Sequence, residues 1–325
     1  MQWPCASLRG ASLRDRTTIA VGGPVEWLLE PADPDQLREA IALARERGMD
    51  VRVLGGGANL IVDDAGLAGV VVATERMNRV FRPTELAGDG DALDGELPSA
   101  RTALPPAADD PRLIAWAGAP LPKLCRTARD LGLSGLEKMS GVPGHLGGGI
   151  AMNAGGKDPD GTLWQMSDVV EHIRVVDEDG AFVDIPAEDW SPKYRDGRLG
   201  ARIVAGAVLR FRPRPKHEVI EQSKDYLRKK NAVQPVSEKS AGCVWKNPDP
   251  EVSGGRTAGL LVDEAGGKGT RVGGAVISER HGNFLVNAGD ASATDVFTVI
   301  ERVEALVAER TGVELEREVK LWRAR

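Results

Sequence analysis

Val51-Arg52-Val53-Leu54-Gly55-Gly56-Gly57-Ala58-Asn59-Leu60-Ile61-Val62 sets three consecutive glycines between two apolar runs. The first run reads as a strand and the second as another extended segment. Successive glycines let backbone N–H groups converge where a Cβ would clash, which suits an anion such as a phosphate. A dinucleotide fingerprint needs a helix directly after its glycines. Leu60-Ile61-Val62 looks extended, so that context is missing. No Gly-Lys-Ser/Thr follows either, so a P-loop is excluded. Taken alone, the loop fits a phosphate cradle and a purely structural turn about equally.

Upstream, the first folded unit is expected to open near Thr17. Val21-Gly22-Gly23-Pro24 reads as a turn and Val25 to Glu30 as a strand. A helix should follow, with Asp33 as N-cap, Pro34 at its first position and Gln36 completing a capping-box pattern. Leu37, Ala40, Ile41 and Ala44 share one face, and Gly48 supplies a stop. Downstream comes a strand at Val70-Val71-Val72. Residues 82–112 are rich in Asp, Gly, Pro and Ala without apolar periodicity, and read as an exposed insertion. Leu121 to Leu131 forms a second helix through Leu121, Leu124, Cys125 and Ala128. Strands are expected at Ile173–Val176, Phe182–Ile185 and Ile203–Phe211, and a domain boundary near Arg212-Pro213-Arg214-Pro215.

Beyond that boundary, Val219 to Lys230 looks helical, and Thr257 to Asn287 mixes a short helix with strands. An amphipathic helix starts near Thr294, buries Val296, Val299, Ile300, Val303, Leu306 and Val307, and stops at Gly312. A last strand should alternate Val313, Leu315, Val319 and Leu321 with Glu314, Glu316, Glu318 and Lys320. The fold class is α+β, with a larger N-terminal part and a smaller C-terminal one.

Composition narrows the function classes. Of 325 residues, 42% are hydrophobic and 28% charged, as in globular proteins. No run approaches the roughly 20 apolar residues of a membrane span, and the N-terminus lacks the layout of a secretory signal. A cytoplasmic protein is expected. Net charge is -6 with both signs interspersed, which argues against nucleic-acid binding. Cys5, Cys125 and Cys243 are too scattered for a disulfide framework or a metal site, and the four histidines do not cluster.

A second glycine-dense stretch is more unusual than the first. Gly135-Leu136-Glu137-Lys138-Met139-Ser140-Gly141-Val142-Pro143-Gly144-His145-Leu146-Gly147-Gly148-Gly149 runs on into Ile150-Ala151-Met152-Asn153-Ala154-Gly155-Gly156. So many glycines among apolar residues are entropically wasteful for a linker. They suit a chain laid against a large flat ligand, or else two closely packed domains.

Together with Leu54 to Val62, this stretch resembles the flavin-binding half of the UDP-N-acetylenolpyruvoylglucosamine reductases, within the vanillyl-alcohol-oxidase type of FAD fold. The resemblance implies that Gly55, Gly56, Gly57, Ala58 and Asn59 hold the FAD pyrophosphate. It places Ser140, Gly141 and Val142 along the isoalloxazine, with Gly144 and Gly148 close by. Gly118, in Trp116-Ala117-Gly118-Ala119, matches another family glycine near the flavin.

Three further segments carry the resemblance into the chemistry. Tyr194-Arg195-Asp196-Gly197 matches a family Tyr-Arg pair, with Tyr194 on the substrate side and Arg195 catalytic. A planar guanidinium fork suits a carboxylate. Ser240-Ala241-Gly242-Cys243-Val244-Trp245-Lys246-Asn247-Pro248 matches a segment that commonly reads Ser-Ala-Gly-Ser, so Cys243 stands where the family usually has a proton-donating serine. A thiol, with a pKa of about 8.5, is a far stronger acid than an alcohol. Asn247 is implied to contact the nucleotide diphosphate. Leu315-Glu316-Arg317-Glu318-Val319-Lys320 matches the C-terminal signature, which selects Glu318 as the catalytic glutamate. Composition alone does not separate Glu318 from Glu316. His281 and Asn283 are read as holding a loop or strand end.

The resemblance implies FAD as cofactor, NADPH as cosubstrate and a UDP-linked enolpyruvyl amino sugar as substrate. The reaction would make UDP-N-acetylmuramate for peptidoglycan precursors, with no metal and no nucleic-acid or membrane partner, in a monomer. Residues 1–80 and 81–215 would form two FAD-binding subdomains, and residues 216–325 a substrate domain. One helix between Pro215 and Ser240 matches the compact subtype of the family. Arg228-Lys229-Lys230 is then a candidate for diphosphate contacts, equally readable as a solvated helix end. Two alternatives stay open: another FAD-dependent oxidase of the same fold, or a catalytically silent flavin- or nucleotide-sugar-binding protein.

Overall fold

The computed structural model describes residues 2–83, 110–158 and 161–324. Helices and strands are interspersed along the chain, in the expected α+β class. The chain divides into two compact units. One comprises Met1–Ser7, Leu29–Gly55 and Val71–Arg228, and the other Leu8–Leu28, Gly56–Val70 and Lys229–Arg325.

Ala6–Ser12, Pro24–Glu30, Leu67–Ala73 and Val51–Leu54 form a four-stranded sheet in that order. The expected opening near Thr17 is therefore too late. Ala6–Ser12 is mostly exposed and lacks apolar alternation, so it carries no period-2 signal and its pairing alone makes it a strand.

In the first unit, helix α1 (Pro34–Glu46) starts as its residues predict. The Asp33 carboxylate accepts from the Gln36 N–H at 2.8 Å, and Gln36 Oε1 accepts from the Ala32 N–H at 3.1 Å. The reciprocal bond thus reaches one residue further upstream than in a capping box. Leu37, Ala40, Ile41 and Ala44 are buried, and Gly48 adopts φ +66°.

A five-stranded antiparallel sheet runs in the order Phe182–Pro186, Val170–Val176, Ile203–Arg210, Arg112–Trp116, Val80–Phe81. Helix α2 (Leu121–Asp130) contributes its expected Leu121, Leu124, Cys125 and Ala128 to the core beside Leu113, Ile173 and Leu209. Most of the expected 82–112 insertion lies outside the described residues. Its two limits need correction. Arg82 is buried and donates to the Asp110 carbonyl at 2.7 Å, and Arg112 already begins a strand.

Helix α3 (Leu146–Ala151) interrupts the glycine-dense stretch. Each helical glycine costs about 1 kcal/mol relative to alanine. Packing offsets this: Leu146 and Ile150, four apart, are fully buried, and a Cβ on Gly149 would press on Met166 at 3.2 Å and Leu121 at 3.5 Å. Helix α4 follows at Lys216–Val233.

The second unit holds helices α5 (Pro250–Ser253), α6 (Ala258–Glu264) and α7 (Ala293–Thr311). Its antiparallel sheet runs Lys239–Cys243, Phe284–Asn287, Ala275–Ile277, Arg271–Val272. A capping box of Ser292 and Asp295 starts α7, and Gly312 at φ +73° ends it. Val296, Val299, Ile300, Val303 and Val307 are buried in a core that includes Trp245, with Leu306 partly buried against it.

The expected last strand shortens to Lys320–Trp322, which pairs in parallel with Leu60–Val62. Residues 313–316 form no ladder, and Arg317 makes only an isolated bridge with Trp245. The amides of Glu318 and Val319 both donate to the Val244 carbonyl, at 2.8 and 3.2 Å. Two donors on one acceptor break the register that strict alternation assumes. Among the described residues, no helix is long and apolar enough to cross a membrane.

Candidate active site

Arg195 belongs to the first unit, and Cys243 and Glu318 belong to the second. In the first unit, Arg195 sits at the third position of a tight turn. Lys193 and Asp196 exchange backbone hydrogen bonds at 2.7 and 3.1 Å across it. Arg195 adopts φ +58°, a conformation that favours glycine or asparagine at this place. Holding an arginine there costs on the order of 1–2 kcal/mol. The guanidinium lies 5.0 Å from the Tyr194 ring centre.

Three contacts fix this turn beside the glycine-dense stretch. The Gly197 N–H donates to the Ala151 carbonyl at 2.9 Å, and a Cβ on Gly197 would lie 2.4 Å from the Ile150 carbonyl oxygen. The Trp190 indole N–H donates to the Gly197 carbonyl at 2.6 Å. Buried Asn153 donates to the Lys193 carbonyl at 3.3 Å and to Gln165 at 2.9 Å, and accepts from the Ser167 N–H at 3.1 Å. No local pattern in the sequence gives Asn153 a role. Its partners lie 12 to 40 residues away, beyond any local signal.

The glycines of this unit fall into two kinds. A Cβ on Gly118 would lie 1.7 Å from the Thr74 carbonyl oxygen, and one on Gly147 would press on Ala117. The chain itself requires glycine at those places. A Cβ on Gly148 would meet nothing within 4 Å. Gly148 is also exposed, and Gly55 lies next to it and to His145. Space left open at a glycine is what a closely applied ligand would fill, so these residues fit a flavin nucleotide. Ser140, Gly141 and Val142 form a turn after Met139, whose carbonyl accepts from the Val142 N–H at 2.9 Å. Gly141 takes φ +75° and Gly144 φ +109°. Burial holds the His145 imidazole below its ordinary pKa, against an opposing pull from Glu75.

The second unit gathers three of the predicted segments. Gly57 adopts φ +61°, and a Cβ there would lie 2.0 Å from the Arg16 carbonyl oxygen. The Thr18 N–H donates to the Gly57 carbonyl at 3.1 Å, and its hydroxyl donates to the Ser240 carbonyl at 2.6 Å. The Asn59 carboxamide donates to the Glu318 carbonyl at 3.2 Å, and the Lys320 N–H donates to the Asn59 carbonyl at 3.0 Å. Gly56 to Asn59, the Ser240–Cys243 strand and the Glu318 segment therefore meet. Thr18, a link between two of them, carries no motif and was missed.

A bulge orients Cys243. Ser240 pairs with Val286 and Cys243 with Phe284, so three steps on one strand match two on the other. Gly242 takes φ +80° at this irregularity. Side chains alternate between faces along a strand. The extra residue moves Cys243 off the face of Ala241 and Leu285, which belong to the apolar core, and onto that of Ser240. Cys243 is partly exposed.

Glu314 and Glu316 are exposed, whereas Glu318 is partly buried. Burial thus separates the carboxylates that composition could not. Asn247 Oδ1 accepts from the Ala258 N–H at 3.1 Å, at the start of α6. Asn283 makes two 2.8 Å bonds to the Trp245 backbone, and His281 Nδ1 accepts from the Asn283 N–H at 3.1 Å. That is the holding role expected of both.

Residues 234–322 match the model for the C-terminal domain of UDP-N-acetylenolpyruvoylglucosamine reductase, and residues 25–89 and 101–186 match an FAD binding domain. A reductase of that name from Symbiobacterium thermophilum is 36% identical, over 97% of this chain and 91% of its own length. One from Anaeromyxobacter dehalogenans is 38% identical, over 97% and 85%. The crystal structure of the Thermus caldophilus enzyme superposes with a TM-score of 0.73 at 34% identity, covering 98% of both chains. With similarity spanning both units, the chain belongs to the UDP-N-acetylenolpyruvoylglucosamine reductase family.

Proposed function

We propose that this protein reduces the enolpyruvyl ether of UDP-N-acetylglucosamine enolpyruvate to UDP-N-acetylmuramate, in peptidoglycan precursor synthesis. FAD, when bound, supplies a hydride taken from NADPH to the terminal carbon of the enolpyruvyl group. Negative charge then spreads from the α-carbon into the carboxylate. The Arg195 fork pairs with that carboxylate, most strongly when the charge is fully developed. Glu318 shares that role in its protonated form. The Cys243 thiol delivers a proton to the α-carbon and recovers one from solvent. One hydride and one proton add across the double bond, and NADPH leaves as NADP⁺.

The observation that carries this reading is the Gly242 bulge. It turns the Cys243 thiol away from the apolar core, in a segment bonded directly to that of Glu318. A cysteine kept only for packing would sit on the core face. Gly55 to Asn59, Gly118, Ser140 to Val142, Gly144 and Gly148 hold the flavin, and Tyr194 and Asn247 contact the sugar nucleotide. Residues 1–80 and 81–215 serve the cofactor, and residues 216–325 the substrate. The protein works as a cytoplasmic monomer, testable by light scattering.

The decisive experiment separates the half-reactions by stopped flow. Cys243→Ala is expected to keep flavin reduction by NADPH and to lose reoxidation by the enolpyruvyl sugar. Equal loss of both would remove Cys243 from the role. Wild-type protein whose reduced flavin ignores the sugar but reacts rapidly with oxygen would favour an oxidase.

A further inference from the structure

Behind the Cys243 and Glu318 segments, side chains from both converge on one carboxylate. Trp245 lies two residues past Cys243 and is fully buried. Its indole N–H donates to Glu304 Oε1 at 2.9 Å. Arg317, immediately before Glu318, donates to both Glu304 oxygens at 2.7 and 2.6 Å. Glu304 projects from α7, a 19-residue helix whose apolar face is built into the core of this unit.

The backbone ties between the two segments are few. Trp245 and Arg317 form an isolated bridge, the Lys246 N–H donates to the Glu316 carbonyl at 2.8 Å, and the Val244 carbonyl takes the doubled bond from Glu318 and Val319. So short a pairing specifies register weakly, and a slip by one residue shifts a strand by about 3.3 Å and turns each side chain to the opposite face. The bidentate Arg317 to Glu304 bond does not survive a displacement of that size. The Trp245 bond holds the other segment to the same anchor.

We propose that Glu304 is a positioning residue, clamping the Cys243-bearing and Glu318-bearing segments in the one register that presents both groups to substrate. This rests on the roles given above to Cys243 and Glu318. Glu304 itself contacts neither substrate nor flavin in this scheme. Its carboxylate serves as a shared acceptor that ties both segments to α7, in addition to the Lys246 to Glu316 side-chain pair that joins them directly at 2.6 Å.

The test compares wild type, Glu304→Gln, and Glu304→Gln combined with Arg317→Met. A single glutamine keeps one acceptor oxygen but loses the charge and half of the fork. Flavin reduction by NADPH should stay within about twofold of wild type in both variants. Reoxidation by the enolpyruvyl sugar should slow about 10- to 100-fold, the scale of a misplaced catalytic group. Amide hydrogen exchange across residues 316–320 should accelerate to match. The double variant removes the uncompensated cation, so its thermal midpoint should return toward wild type while reoxidation stays slow. Recovery of reoxidation along with stability would reduce Glu304 to a counter-ion and overturn the proposal, as would unchanged exchange in Glu304→Gln. If wild-type flavin is not reoxidised by the sugar, the functional reading fails on its own, and the exchange measurement still decides whether Glu304 clamps the segments.

Discussion

The Asn59 carboxamide donates to the Glu318 carbonyl at 3.2 Å, while the Asn59 carbonyl accepts from the Lys320 N–H. One residue of the glycine loop therefore holds the C-terminal segment on both sides of Val319. A loop expected to carry phosphate and a carboxyl group expected to help stabilise the charge on the substrate are thus one mechanical piece. Asn59→Ala should cost about 1 kcal/mol, the value of one hydrogen bond. It should slow flavin reoxidation more than flavin reduction, as read by thermal melting and stopped flow. An equal effect on both half-reactions would show that Asn59 acts through the loop alone.

Gly118 and Gly148 should respond differently to a methyl group. Alanine at Gly118 meets the Thr74 carbonyl oxygen at 1.7 Å, so Gly118→Ala should lower stability by about 2 kcal/mol or more with or without flavin. Alanine at Gly148 meets no protein atom within 4 Å. Gly148→Ala replaces an exposed helical glycine, so it should stabilise flavin-free protein by up to about 1 kcal/mol, and it should weaken FAD binding at least tenfold, measured by flavin fluorescence. Full flavin affinity in Gly148→Ala would place the cofactor elsewhere.

Arg195 occupies a backbone conformation that suits another residue better. Its φ of +58° favours glycine, so Arg195→Gly should preserve stability or raise it by up to about 1 kcal/mol, read by thermal melting, while abolishing reduction of the sugar. Arg195→Lys should keep the charge but lose the two-pronged geometry. Its kcat/KM for the sugar should fall about 100-fold, with flavin reduction intact.

The thiol gives a chemical handle. Cys243→Ser keeps a donor on the same face of the bulge and should retain turnover within the 10²–10⁴-fold range over which general acids contribute. Iodoacetamide should inactivate the wild type and spare Cys243→Ser. Equal inactivation of both would point to Cys5 or Cys125.

Stability should fall on the acid side. Burial lowers the pKa of both His145 and His281, and Lys268 adds to the effect at His281. The unfolded chain, with ordinary histidines near 6.5, then binds protons that the folded chain refuses. The contribution is fully present above about pH 6.5 and is lost as pH falls from there toward the lower folded values. His281→Asn, which offers Asn283 another acceptor, should flatten part of this decline in melting curves recorded between pH 5 and 8.

Much of this protein was legible residue by residue. Asp33, Pro34 and Gly48 mark the limits of α1, and the apolar spacings of α1, α2 and α7 name their buried faces. These are local quantities, set by capping, φ preference and helical period within a few residues. The strand Ala6–Ser12 escaped because its exposed residues carry no pattern. Helix α3 escaped because glycine argues against helix until Leu121 and Met166 pack on it.

The thiol at position 243 and the carboxylates near the C-terminus were likewise plain as chemistry in the sequence. Family resemblance already selected Glu318 in the sequence, but which way the thiol faces and the greater burial of Glu318 were decided only in three dimensions. The Gly242 bulge needs Phe284 and Val286 as partners, and the burial of Glu318 needs Val244 and Asn59. Strand register is a property of two segments at once, and no span of either one alone contains it.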